Sequence, residues 1–284
     1  MNEIASPQPD WRRYAGLRSG VFLSLLFLLL GFFSVVWTPY PVEALNVGAA
    51  MQDGSAAHWF GTDTLGRDVL SLVMKGILTS FVVAGVAVVI GALVGLPLGL
   101  AAATWRGPFD WLARGIIDYF SLLPALLLAI LFATAFAPSA LGIMAVIGIA
   151  NVAAFTRAMR NGWQAESRPA YIVSARLAGL AGWDLVRRHM LANLVPLLVA
   201  TALAQLSAGI LAEAALSYLG LGVQSPATSL GLILREAQSY ALLRPALMLI
   251  PGLVVVALAL ALRLVARGVH HPVPHTAGAS RDPA

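Results

Sequence analysis

The side chains able to do chemistry are few, and their spacing excludes most of what they could do. Five histidines occur, His58, His189, His270, His271 and His275. No H-E-x-x-H places two of them on one helix face for zinc, and no G-x-S-x-G supplies a serine for one of them to activate. Cysteine is absent, which removes disulfides, thiolate metal sites and cysteine catalysis together. The run His270-His271-Pro272-Val273-Pro274-His275 carries metal-ligating side chains. Its prolines and terminal position read instead as a disordered tail over 269–284. A P-loop needs G-x-x-x-x-G-K-[ST], because backbone amides and a lysine must together hold the phosphates. The one lysine, Lys75, stands between Met74 and Gly76, so no such loop exists. No catalytic residue, cofactor site or metal site is expected. Uphill movement of any solute would draw its energy from another polypeptide.

The elements that carry these residues are set by composition. Of 284 residues 59% are hydrophobic and 11% charged, and the mean hydropathy is +0.83. Soluble domains carry about 25% charged residues, so this chain has too few charges to solvate a globule and too much apolar surface to stay disordered. A bilayer core needs about 20 mostly apolar residues per helix. Six runs qualify, over about 20–37, 76–104, 116–137, 140–155, 190–212 and 245–262. A signal peptide is the competing reading of the first, but its apolar region would be about 7–15 residues long and followed by a small-x-small cleavage site. The expected fold class is therefore an all-α polytopic membrane protein with six transmembrane helices. A tail over 1–19 precedes the transmembrane domain, which spans 20–268.

Orientation follows from arginine in the short loops. With the N-terminus in the cytoplasm, the inner segments hold Arg12, Arg13, Arg18, Arg106, Arg114, Arg157, Arg160, Arg168, Arg176, Arg187, Arg188, Arg263, Arg267 and Arg281. The outer segments hold only Arg67, Lys75, Arg235 and Arg244. Fourteen against four places both termini in the cytoplasm. The net charge of +5 and the pI near 10.1 are thus topological, with no nucleic-acid partner implied. The predicted apolar cores hold no ionisable residue. Asp118 and Glu213 fall near predicted helix ends, where interfacial anchoring is the expected role. A proton- or sodium-driven carrier would keep a carboxylate near the midplane, so that class is disfavoured.

Two loops stand out by length, an outer one over 38–75 and an inner one over 156–189. Loops beyond about 12–15 residues are usually functional or disordered. Within the inner loop, Pro169 suits the first turn of a helix and Gly179 or Gly182 its stop. Tyr171, Ala175 and Ala178 share one face, flanked by Ile172. Small residues predominate, giving a shallow surface another protein can approach closely, rather than the bulky face that lipid binding wants. In the outer loop, Phe60-Gly61-Thr62-Asp63-Thr64-Leu65-Gly66-Arg67-Asp68 has a local logic: Asp63 and Asp68 can cap backbone amides and Arg67 can bridge to either. After the fifth run comes Glu213-Ala214-Ala215-Leu216-Ser217-Tyr218-Leu219-Gly220-Leu221-Gly222, whose glycines permit a break or a close backbone approach.

These three segments resemble the permease subunits of ABC importers. The family's coupling motif reads Glu-Ala-Ala, three residues, Gly, nine residues, Ile-x-Leu-Pro. Here Val173-Ser174-Ala175 precedes Gly179 by the same spacing, and nine residues lead to His189-Met190-Leu191-Ala192. Val173 replaces the glutamate and Ala192 the proline. The Gly61–Asp68 and Glu213–Gly222 segments resemble signatures of the dipeptide, oligopeptide and nickel importer group, and chain length fits its second, "C-type" permease. The resemblance covers about residues 15–268 and implies a type I ABC importer permease architecture with a cytoplasmic coupling helix, in the bacterial inner membrane. It implies as partners a second homologous permease, two ATP-binding subunits that bind the ATP and Mg, and an extracytoplasmic solute-binding protein.

By that resemblance, ATPase coupling falls to Tyr171, Ile172, Ser174, Ala175, Arg176, Ala178, Gly179 and Gly182. The outer signature comprises Gly61, Thr62, Asp63, Gly66, Arg67 and Asp68, and the outer helix-five segment Glu213, Ser217, Gly220 and Gly222. The implied cargo is a dipeptide or oligopeptide, with nickel or a metal chelate as the alternative within the family. A stand-alone channel or carrier is the alternative outside it.

Overall fold

In lipid every backbone amide and carbonyl needs an internal partner, so uncharged apolar runs of this length fold as helices. A computed structural model bears this out over residues 10–104, 115, 125–166 and 191–269, the residues it describes. Seven α-helices occur there: α1 (Asp10–Val36), α2 (Val69–Thr104), α3 (Ala125–Phe136), α4 (Ala140–Glu166), α5 (Leu191–Tyr218), α6 (Leu230–Ala237) and α7 (Ala246–Val269). Five of them, α1, α2, α4, α5 and α7, are long and apolar enough to cross a membrane. The span expected over 116–137 is described only from Ala125 onward, as the 12-residue α3. The sole strand-like feature among the described residues is an isolated bridge between Thr62 and Asp68.

Several boundaries differ from the hydropathy reading, each for a local reason. Helix α2 begins at Val69 rather than Gly76, because Asp68 caps it: the Ser71 amide donates to Asp68 Oδ2 at 2.8 Å. An acceptor at the N-cap satisfies one of the first-turn amides. Its 36 residues span about 54 Å, so the helix stands well clear of the hydrocarbon and takes Lys75 with it. The outer loop is correspondingly shorter than 38–75. Helix α4 runs on to Glu166 instead of ending at Phe155, and its continuation buries Met159 and Trp163 against Leu194 of α5. Helix α5 continues past Ala212 to Tyr218, and α7 past Leu262 to Val269. Hydropathy sees the apolar stretch, whereas the helix ends where its capping and packing end.

Helix α2 packs most extensively on α4, and glycine makes the approach possible. Gly91, Gly95 and Gly99 recur every fourth residue on one face of α2. A Cβ at Gly95 would stand 2.6 Å from the Val152 carbonyl oxygen, and one at Gly99 2.6 Å from that of Thr156. Small residues at such a seam let two backbones meet, which drives helix association in lipid where hydrophobicity cannot. Helix α1 lies at the periphery against α7 and α2, with Phe22, Leu29 and Phe32 exposed as lipid-facing residues are. Between α3 and α4, Ala137 adopts a positive φ of 64° and Ser139 Oγ accepts the Gly142 amide at 3.1 Å, so the reversal takes three residues.

Candidate functional site

The outer loop is organised by hydrogen bonds rather than by a core of its own. Asp63 Oδ1 accepts the amides of Leu65 and Arg67, both at 2.8 Å. Gly66, at φ +76°, backs directly on the Asn46 carbonyl, leaving no room for a Cβ. Thr62 is fully buried: its hydroxyl donates to the Ala49 carbonyl and accepts the Gln52 amide at 2.9 Å. Asp68 does more than cap α2. Its Oδ2 accepts the Ser71 hydroxyl at 2.7 Å, while Oδ1 lies 3.0 Å from His58 Nδ1. The Tyr40 amide in turn donates to Ser71 Oγ at 3.1 Å, and the Tyr40 and His58 rings meet at a tilt of 36° with centroids 4.4 Å apart.

Arg67 ties this ledge to another element. Its Nε donates to Asp63 Oδ2 at 2.6 Å and its Nη2 to Glu236 Oε2 of α6 at 2.5 Å. Of the two bridges open to it in sequence, Arg67 takes Asp63 and leaves Asp68 to His58. Burial opposes the guanidinium charge, yet the fields and hydrogen bonds of Asp63 and Glu236 outweigh it and raise the pKa above the usual arginine value. Arg244, just before α7, pairs with Asp53 of the same loop.

Glu213 overturns the interfacial expectation. It lies inside α5, five residues before the end, and is 0% exposed. Ser80 Oγ of α2 donates to its Oε2 at 2.6 Å and Ser217 Oγ to its Oε1 at 2.8 Å. Ser229, the N-cap of α6, lies close to it. Two of these serines also serve the backbone, Ser217 accepting the Val223 amide and Ser229 the Leu232 amide, both at 3.2 Å. One carboxylate of α5 is thereby tied to α2, beside the start of α6. The expectation failed because the apolar run was ended at Ala212, one residue too early to place Glu213 within the span.

The glycines after α5 serve the same junction. Gly220, at φ +84°, turns the chain out of α5 and faces the Arg235 guanidinium. Gly222 backs on Ser217, and Gly231 of α6 on the Ala214 carbonyl. Sequence reasoning missed Ser80, Ser229, Glu236 and His58. A serine has no periodic signature inside an apolar run, and Glu236 is legible only once α6 is known to lie beside the ledge. The coupling residues Tyr171, Ile172, Ser174, Ala175, Arg176, Ala178, Gly179 and Gly182 lie outside the described residues, as does the His270–His275 run. The flanks of that inner loop are described: Asn193 Nδ2 donates to Glu166 Oε2 at 3.1 Å, so α4 and α5 are joined where it leaves and returns.

Long apolar helices packed side by side define a polytopic membrane protein. The same fold occurs in a solved chain of the MetNI methionine ABC transporter, with a TM-score of 0.58 at 18% identity, covering 70% of this chain and 97% of that one. Residues 95–271 match the family described as "Binding-protein-dependent transport system inner membrane component", and the chain belongs to that family.

Relatives extend the likeness over nearly the whole length. The glutathione transport system permease protein GsiD of Pectobacterium atrosepticum is 30% identical over 264 residues, covering 91% of this chain and 87% of its own. GsiD of Escherichia coli is 31% identical over 278 residues, covering 94% and 90%. The Escherichia coli protein named "Probable D,D-dipeptide transport system permease protein DdpC" is 29% identical over 258 residues, covering 91% and 87%.

Proposed function

We propose that this chain forms half of the translocation path of an ATP-driven importer of short peptides. The observation that carries the reading is the 30% identity sustained over 91% of the chain to a permease named for glutathione, itself a tripeptide. A D,D-dipeptide permease name on another relative supports the same cargo class. The nickel or chelate alternative finds no support in these names, and the stand-alone channel or carrier none in the family.

In this reading a second homologous permease completes the path and an extracytoplasmic binding protein delivers the peptide. Two ATP-binding subunits bind the ATP and Mg and supply the energy, for which this chain has no P-loop. The N-terminus and C-terminus face the cytoplasm, on the side where fourteen of eighteen basic residues lie. The inner loop docks on one ATPase through the small-residue face of Tyr171, Ala175 and Ala178, with Gly179 and Gly182 ending that helix. Closure of the ATPase pair is then carried into the spans through α4 and α5.

Uptake of a labelled di- or tripeptide by reconstituted complex tests this reading. Ala175→Glu places a charge on the docking face. Peptide uptake is expected to fall at least tenfold while ATP hydrolysis continues and the chain still inserts. Undiminished uptake in that variant would remove the docking assignment, and absence of any co-purifying P-loop ATPase would remove the importer reading as a whole.

A further inference from the structure

Between α5 and α7 lies a hollow of about 290 Å³ whose lining includes Leu197, Ala200, Thr201, Ala204, Arg263 and Arg267. Its floor is apolar and two guanidinium groups, one helical turn apart, stand over it. Neither arginine has an ion-pair or hydrogen-bond partner in the protein among the described residues, and no described acidic residue lines the hollow. An unpaired double positive charge over an apolar floor is complementary to an anion with an apolar body.

The depth of the site says which. From Ala246 the helix rises about 26 Å to Arg263 and about 32 Å to Arg267, against a hydrocarbon thickness of about 30 Å. The pair therefore brackets the boundary of the hydrocarbon, Arg267 just beyond it and Arg263 within reach of it through its long side chain. They also continue the exposed stripe of α7: Leu253, Val256 and Leu260 precede Arg263 and Arg267 at three- and four-residue steps, and are 66%, 50% and 57% exposed. Across the hollow α5 contributes Leu197, Ala200, Thr201 and Ala204. The register is held by Ser207 Oγ, which donates to the Ala259 carbonyl at 2.8 Å.

We infer that this groove binds an anionic phospholipid, its phosphate gripped by Arg263 and Arg267 and an acyl chain laid along Leu260, Val256 and Leu253. Arginine pairs a phosphate through a planar fork of donors, and basic pockets between transmembrane helices are suited to such headgroups. The site is independent of the cargo the importer carries.

The test is native mass spectrometry of the full chain, purified and reloaded with phosphatidylglycerol or phosphatidylcholine of matched chains. Selective retention of phosphatidylglycerol is expected. Each arginine contributes roughly fivefold at a membrane surface, so R263Q/R267Q is expected to lose the preference by about 30-fold, while R263K/R267K keeps most of it. Thr201→Met narrows the hollow with both charges in place and is expected to weaken retention several-fold. Equal retention of the two lipids, or a preference unchanged in R263Q/R267Q, overturns the inference. So does loss in R263Q/R267Q with none in Thr201→Met, which reduces the site to surface charge. Displacement of the lipid by millimolar inorganic phosphate would mark a free-anion site instead. Exclusion of lipid from the groove in the assembled complex would mark a face covered by the second permease.

Discussion

Glu213 offers the sharpest test of how the end of the bundle beside the Gly61–Asp68 ledge is held. Glu213→Ala removes the acceptor shared by Ser80 and Ser217, beside which Ser229 lies. Ser217 and Ser229 keep a backbone amide each, so they are partly compensated. Ser80 is 0% exposed and loses the one acceptor described for its hydroxyl. A buried group left unsatisfied costs about 1–3 kcal/mol and each lost hydrogen bond about 1 kcal/mol, while the void adds to this. The variant is expected to be about 3–5 kcal/mol less stable, by the sum of those terms. Glu213→Gln keeps the volume and one acceptor oxygen, and the serines can turn to accept from its amide. Its expected cost is about 2 kcal/mol or less.

Equilibrium unfolding of the purified chain by sodium dodecyl sulfate in mixed micelles, followed by the fluorescence of its seven tryptophans, reads the global effect. The local effect is read at α6. The chain has no cysteine, so Ala237→Cys introduces a single thiol at a position 6% exposed. With the tie cut, α6 is expected to open at a lower free energy, and a loss of about 2 kcal/mol there raises thiol labelling roughly 30-fold. If Glu213→Ala changes neither unfolding by more than about 0.5 kcal/mol, the scale of an ordinary surface substitution, nor labelling at position 237, the carboxylate is not a structural tie.

Three further outcomes follow from the same packing. Gly95→Leu is expected to prevent a stable fold, because even its Cβ meets the Val152 carbonyl at 2.6 Å and Phe155 Cβ at 2.7 Å; Gly85→Ala, with nothing within 4 Å, is expected to stabilise by up to about 1 kcal/mol through helix propensity, both read by the same detergent unfolding. Arg67→Gln and Glu236→Gln in a double-mutant cycle are expected to show coupling of about 1 kcal/mol or less, since Glu236 is 37% exposed and solvent screens the pair; the coupling should shrink further in high salt. Gly66→Ala is expected to disorder the ledge, since both its positive φ and the Asn46 carbonyl forbid a Cβ, and limited proteolysis between Asp53 and Arg67 reads the change.

What the sequence made legible divides along a physical line. Spans declare themselves because each needs some 20 apolar residues in one stretch, and the structure describes five of the expected six in that form. The glycines of the ledge are legible for a similar reason, since a turn at positive φ leaves few choices of residue. Contacts between elements are a different matter. Nothing in a linear pattern marks Ser80 as the partner of a residue 133 positions away, or Glu236 as the partner of Arg67 across 169. A single misplaced boundary then propagates: a fifth span ending at Ala212 makes Glu213 a solvated end residue, and the one fully buried carboxylate inside a described span loses its meaning.

That carboxylate also changes how the absence of midplane charge bears on mechanism. Glu213 lies within a candidate span, yet it is enclosed and its two oxygens are occupied by serine hydroxyls of α2 and α5. A coupling carboxylate in a proton- or ion-driven carrier must meet its ion from each side of the membrane in turn. Glu213 meets only the protein. An ionisable residue inside a span is thus not by itself a sign of ion coupling, and what Glu213 touches, rather than any absence of charge, disfavours a carrier.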